Sequence, residues 1–213
     1  MQLTSVNIGK ARAVEAKSGQ TGIFKRPADD PVRVTRNGLA GDTICDTENH
    51  GGVDQAVYVY GAADYAWWSG TLGKDLHPGT FGENLTVTDL DTASLRIGDR
   101  LHIANVVLEV TAPRIPCVTL ATRMNDPIFV KRFRQAERPG VYCRVLQEGH
   151  VRVGDEVTLH AYEGESLSAL ELFQDFFKPH RDEATLRRHL AAPIDVRSRE
   201  AKEAELQKLV TGA

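Results

Sequence analysis

The chain has 213 residues, 41% hydrophobic and 26% charged, an ordinary balance for a soluble globular protein long enough to bury a sizeable core. A formal net charge of −3 gives no broad attraction to nucleic acid or to an anionic membrane, so neither is expected as a partner. No apolar run approaches the ~20 residues that span a bilayer, Met1-Gln2-Leu3-Thr4-Ser5-Val6 shows no signal peptide, and the odd set Cys45, Cys117 and Cys143 fits a cytoplasmic protein with free thiols.

The first 160 residues read as mainly β. Met1 to Ile8 alternates loosely, and Pro31 to Arg36 alternates cleanly before the Asn37-Gly38 turn signal. Gln55 to Tyr60 is β-branched and aromatic, again a strand. Ala62 to Leu72, with Tyr65, Trp67 and Trp68, reads as a short helix stopping near Gly73, its aromatics core or a groove wall. Ile97-Gly98-Asp99 and Val153-Gly154-Asp155 are each followed by an alternating strand, two similar turns that suggest a closed or strongly curved sheet. The apolar run from Val106 to Val110 reads as a buried strand, and Val141, Cys143 and Val145 share one strand face, which makes Cys143 a core residue.

The pattern turns helical after Glu163, and the boundary falls near residue 164. Ser168 to Glu171 forms a capping box ahead of Leu170, Phe173 and Phe177, and Pro179 ends that helix. Asp182 to Leu190 is a second helix, and Ser198 is placed to cap a third that carries Ala201, Leu206, Leu209 and Val210. Three short helices bury little alone, so they are expected to pack together and on the β domain. The division is thus residues 1–163, a β domain, and 164–213, an all-α extension.

Five loops offer chemistry. Thr21-Gly22-Ile23-Phe24-Lys25-Arg26-Pro27 supplies a hydroxyl and two cations suited to an anion, although Lys-Arg beside Pro also describes a solvated loop. Gly38-Leu39-Ala40-Gly41-Asp42 reads only as a turn. Asn49-His50-Gly51-Gly52-Val53-Asp54 pairs a histidine with two glycines whose N–H groups can face an anion. In Phe81-Gly82-Glu83-Asn84-Leu85, Asn84 can read the donors and acceptors of a heterocycle. In Pro113-Arg114-Ile115-Pro116-Cys117, two prolines stiffen the backbone and Arg114 favours the thiolate; a buried small hydrophobe is the other reading of Cys117. Neither Cys-x-x-Cys nor His-Glu-x-x-His occurs, and Cys45 lacks ligand spacing, so a metal site made of protein ligands alone has little support. No Gly-x-Gly-x-x-Gly or Walker loop occurs either.

In this order, Thr21 to Lys25, Gly38 to Asp42, His50 to Gly52, Phe81 to Leu85, Ile97 to Asp99 and Pro113 to Cys117 resemble the MOSC family, named for the C-terminal domain of molybdenum-cofactor sulfurases. The helical tail resembles the three-helix extension of its small stand-alone bacterial branch. The resemblance implies a MOSC-type β-barrel with short helices and a molybdenum cofactor (Mo-molybdopterin) in the cleft between the loops. Cys117 matches the metal-ligating cysteine and is the expected catalytic position. Cofactor contacts are implied at Lys25 and His50, with Arg26, near the phosphate, at Gly82, Glu83 and Asn84 on the pterin, and also at Thr21, Gly51 and Gly52. Arg114 would hold the cysteine loop or a cofactor oxygen. The activity implied is reduction of N-hydroxylated compounds such as 6-N-hydroxylaminopurine, with electrons from a separate redox protein. A sulfur carrier with a Cys117 persulfide and a non-catalytic cofactor-binding module are the alternatives. The tail is left to cover the cleft, bind a reductase or form a homodimer.

Overall fold

The computed structural model describes residues 1–14, 19–47 and 50–211. The strands are β1 (Leu3–Ile8), β2 (Arg12–Ala13), β3 (Gln20–Thr21), β4 (Arg26–Pro27), β5 (Val32–Thr35), β6 (Gly38–Leu39), β7 (Val57–Gly61), β8 (Leu85–Val87), β9 (Arg100–Ile103), β10 (Val106–Pro113), β11 (Val141–Gln147), β12 (Gly149–Val151) and β13 (Val157–His160). The helices are α1 (Ala62–Leu72), α2 (Val118–Met124), α3 (Phe129–Ala136), α4 (Ala169–Phe177), α5 (Glu183–Ala191) and α6 (Val196–Thr211). None among the described residues is long and apolar enough to cross a membrane.

One sheet has the order β13-β9-β10-β11-β7-β8-β1-β4, and a smaller one has the order β12-β5-β6. Its pairs are antiparallel except β7 and β8, which run parallel because α1 carries the chain back across the sheet between them. The two Gly-Asp turns behave as a matched pair. Gly98 and Gly154 take φ of 94° and 93°, a region that favours glycine. Asp99 Oδ2 accepts from Arg96 N at 2.8 Å, and Asp155 Oδ2 accepts from Arg152 N at 2.9 Å. The strands that follow, β9 and β13, pair with each other.

The expected barrel is not closed by a strand ladder. Opposite the start of β1 lies the Gly154-Asp155 turn, and a turn offers single bonds where a strand would offer a ladder. The seam is therefore one isolated bridge, Gln2 with Glu156, plus backbone bonds such as Leu3 N to Asp155 O (2.9 Å) and Gly154 N to Leu3 O (2.8 Å).

Two apolar clusters fill the interior. The larger one lies on the sheet and takes in Leu167, Ala169, Leu172, Ala192 and Ile194 from the helical extension. The second is aromatic, built on Tyr58, Tyr60, Trp68, Phe81, Phe129 and Phe133, and takes in Phe173. The extension thus shares both clusters with the sheet. Ser168 Oγ caps α4 by accepting from Glu171 N at 3.0 Å, and Gly73 ends α1 in the left-handed region.

Several local expectations are corrected. Ser198 does not cap the last helix; α6 begins at Val196, and Asp195 Oδ1 accepts from Ser198 N at 3.1 Å. The apolar face expected on α6 is not buried: Leu209 and Val210 are exposed, and the buried residue is Lys202, paired with Asp175 at 2.5 Å. Helices α2 and α3 were not anticipated. The pair Phe129 and Phe133, four residues apart and both fully buried, is the periodic signal that marks α3.

Candidate functional site

β10 ends at Pro113, and the chain then turns through Arg114 to Pro116 into α2, with Cys117 at the N-cap position. Arg114 is almost fully buried. Its guanidinium lies 5.4 Å from the Tyr58 ring centroid and 5.9 Å from that of Phe133, and it hydrogen-bonds Tyr142. Burial opposes its charge, but the oxygens of Tyr58 and Tyr142 and the Cys117 sulfur outweigh that, so its pKa is raised and it stays cationic. Arg114 Nη1 is buried with no hydrogen-bond partner.

Cys117 is partly buried. Burial alone would push its thiol up; a hydrogen bond from His50 and the charge of Arg114 more than offset this and bring the pKa down to about 6. The thiolate therefore prevails at neutral pH. Cys143 lies fully inside the core, where burial pushes its thiol well up.

A cavity of about 90 Å³ opens beside Cys117. Of the positions expected from sequence, Thr21, Lys25, His50, Gly51, Gly82, Asn84, Arg114 and Cys117 line it. Arg26, Gly52 and Glu83 do not, and Asn49 lies outside the described residues. Arg26 is exposed on β4. Glu83 is fully buried, which raises its pKa; its Oε1 accepts from Tyr65 Oη (2.6 Å), Gly79 N (2.5 Å) and Thr86 Oγ1 (3.0 Å), and its Oε2 has no hydrogen-bond partner among the described residues. It supports the loop from behind. Gly82 has φ of 79°, and a Cβ there would stand 2.8 Å from the Ile23 side chain, so the loops on either side meet only through glycine.

Asp42, read from sequence as part of a turn, joins these loops. Its carboxylate accepts from Gly9 N (2.7 Å), from Asn84 Nδ2 (2.9 Å) and from Lys25 Nζ. Burial lowers the Lys25 pKa, and Asp42 counters it. Asn84 is committed as well, because its Oδ1 accepts from Tyr58 N at 3.1 Å. Lys25 and Asn84 thus shape the wall first. The second cation, Arg114, carries no carboxylate partner among the described residues.

Sequence reasoning set Cys45 aside, yet it lines the same cavity. It also missed Tyr58, Tyr142 and Gln55. Tyr142 was legible in principle, since it alternates with the core position Cys143 along β11.

Cys117, His50, Gln55, Thr119 and Tyr142 also line a second, larger space of about 630 Å³ that runs toward α4 and α6. The extension is fastened to this region. Arg197 donates to Gly51 O (3.1 Å) and Thr47 O (3.3 Å), and Val196 N donates to Asp54 Oδ2 (2.9 Å). The start of α6 thereby grips both sides of the His50 loop.

The family model of the MOSC domain matches residues 46–158. The uncharacterized protein YflK of Bacillus subtilis is 41% identical over 157 residues, 73% of this chain and 71% of its own length. A protein named a reductase in Gibberella moniliformis is 34% identical over 160 residues, 70% of this chain but 28% of its own length. The crystal structure of YiiM from Geobacillus stearothermophilus superposes with a TM-score of 0.79 at 26% identity, covering 96% of this chain and 98% of that one. On the matched domain and on these relatives, the chain belongs to the MOSC family.

Proposed function

We propose that the chain is a molybdenum-cofactor-dependent reductase of N-hydroxylated compounds, with Cys117 as the protein ligand to the metal. The observation that carries this reading is the Cys117 thiol, held at a pKa of about 6 by His50 and Arg114 where a small cavity meets a larger groove. A thiolate ready at neutral pH suits a soft ligand position. The unpartnered Arg114 Nη1 fits an anionic or oxo group at the same place. Cys117 and Arg114 would hold the metal end, and Thr21 and Gly51 offer polar and backbone groups to the rest.

Bound there, the cofactor would supply a two-electron couple for removal of oxygen from nitrogen. The overall change, R–NH–OH to R–NH2 and water, takes two electrons and two protons. The electrons come from a separate redox protein. The relative named a reductase is consistent with such a link, since this chain matches only 28% of its length. His50, hydrogen-bonded to Cys117 and lining both spaces, is the group placed to pass a proton to the departing hydroxyl. The aromatic cluster beneath Arg114 keeps water from its guanidinium.

Protein made in a host that synthesises the cofactor is expected to contain molybdenum and pterin and to reduce 6-N-hydroxylaminopurine with a reduced donor. Cys117→Ala is expected to fold and to lose reduction. Full activity of that variant with cofactor bound would overturn the assignment; cyanide-labile sulfur on Cys117 without metal or pterin would favour a sulfur carrier.

A further inference from the structure

Three arginines meet at Phe24, outside both spaces beside Cys117. The Arg12 guanidinium lies 4.6 Å from the Phe24 ring centroid and that of Arg123 lies 5.0 Å from it, so the two are within about 10 Å of each other. Arg12 comes from β2, Arg123 from α2, and Arg26 from β4, just beyond Phe24. Arg12 and Arg26 are exposed, and Arg123 is half-buried. Burial lowers the Arg123 pKa, and against the opposing Tyr65 and Glu83 the charges of Arg12 and Arg26 lower it further.

Like charges held this close repel, and carboxylates are the ordinary relief. Arg132 has Asp126 at 3.3 Å, and Arg187 has Glu183 at 2.7 Å. None of the three arginines at Phe24 has a carboxylate partner among the described residues, and Arg123 Nε is buried without any hydrogen-bond partner. In a chain of net charge −3 such a patch is a local exception. Its place ties it to the reacting site. In the β2–β3 hairpin Arg12 stands opposite Thr21, which lines the small cavity. Arg123 is four residues from Thr119, another lining residue, on the same face of α2. It lies about 9 Å along that helix from Cys117 at the N-cap. Neither Phe24 nor any of the three arginines lines the larger groove, so a body resting on them leaves the groove free.

Arginines around an aromatic ring are typical of the energetic centre of protein contacts. A patch this small suits an electron-transfer encounter, which buries less than about 1,200 Å². Resting on the reductase reading, we infer that Arg12, Arg26 and Arg123 around Phe24 form the docking surface for the electron donor, and that this donor is a small electron-transfer protein with an acidic face around its redox centre. Its carboxylates complete the unpaired guanidiniums, and α2 leads from the contact to Cys117. The donor is oxidised by two electrons in total for each R–NH–OH reduced.

The first test needs no turnover. Flavodoxin, an acidic electron carrier, is the probe, and cytochrome c is its basic counterpart. Calorimetric titration of the full chain at low salt is expected to give saturable flavodoxin binding and none with cytochrome c. Raising the salt from about 0.01 M to about 0.1 M shortens the screening length from about 30 Å to about 10 Å and is expected to weaken that binding. Arg12→Glu and Arg26→Glu, both at exposed positions, are each expected to weaken it about tenfold, and Arg123→Gln by a similar factor. Arg187→Glu, on α5, is expected to leave it unchanged. Thermal melts separate these effects from loss of fold, and the two exposed variants carry the test if Arg123→Gln melts early. In the loaded enzyme the same variants are expected to raise the KM for reduced flavodoxin while turnover with reduced methyl viologen, a small donor, is retained. No flavodoxin binding to the wild-type chain, equal binding of cytochrome c, or indifference to all three variants overturns the inference. Equal loss of viologen-driven turnover also overturns it, as does saturable binding of inorganic phosphate at the arginines without flavodoxin binding. Failure of the reductase reading would show instead in the metal and pterin content and in the Cys117→Ala turnover assay, with flavodoxin binding intact.

Discussion

Replacing His50 with alanine is expected to return Cys117 to the behaviour of an ordinary buried thiol. In the wild-type chain the pKa drops from 9.0 to about 6 although burial works against it, and the His50 hydrogen bond is the largest contribution in the lowering direction. With a pKa of about 6, roughly nine-tenths of the thiol is ionised at pH 7; at an ordinary value only about 1% is. Without His50 the burial cost remains and is opposed by Arg114 and the backbone hydrogen bond from Leu120, so the midpoint moves up. The assay is the pH dependence of alkylation by iodoacetamide, a neutral reagent, in cofactor-free protein, with peptide mass spectrometry separating Cys117 from Cys45 and Cys143. The midpoint is a better readout than the rate at one pH. A thiolate of higher pKa is intrinsically the stronger nucleophile, with a Brønsted slope of about 0.4–0.5, which partly hides the lost ionisation.

The same shift carries a stability signature. A thiol whose pKa is depressed by folding contributes stability that is fully present above the unfolded value and is lost as pH falls through the folded one. Wild-type stability relative to Cys117→Ser should therefore rise between pH 6 and pH 9, by up to about 4 kcal/mol at 1.36 kcal/mol per unit. A wild-type alkylation midpoint near 9, or one that His50→Ala leaves in place, would refute the account of the site given above.

Two further outcomes follow from the supporting structure. Asp42→Ala leaves the buried Lys25 cation uncompensated and removes an acceptor from Gly9 N and Asn84 Nδ2; urea denaturation should show a loss of about 3–5 kcal/mol, with a large part recovered when Lys25→Met is added. Additive effects in that double-mutant cycle would mean the two side chains do not interact. Ser168→Ala removes the cap on α4 and should cost about 1 kcal/mol in the same measurement, whereas Ser198→Ala, which caps nothing, should be near neutral.

Locally encoded features were legible in the sequence. The Gly-Asp turns, the stop of α1 at Gly73 and the Ser168 cap depend on φ preferences and on hydrogen bonds spanning a few residues. Cys143 was assigned to the core by alternation alone, and its burial confirms it. Helix α3 carried its signal in Phe129 and Phe133 but lay between two stronger patterns. The exposure of Leu209 and Val210 was not legible, because an apolar residue on a terminal helix shows no sign of whether a neighbour covers it.

By itself the sequence determined the order of the loops, the family they belong to, and the residue types available to the site, since each is written in a short contiguous stretch. The tertiary structure alone decided which of them meet. It made Asp42 the joint of three loops, placed Glu83 behind the wall, and brought the start of α6 onto the His50 loop, about 150 residues earlier in the chain. Such contacts depend on how the sheet curves and where the extension docks, and no local preference records either. The barrel seam was decided in the same way, by a turn arriving where a strand was expected.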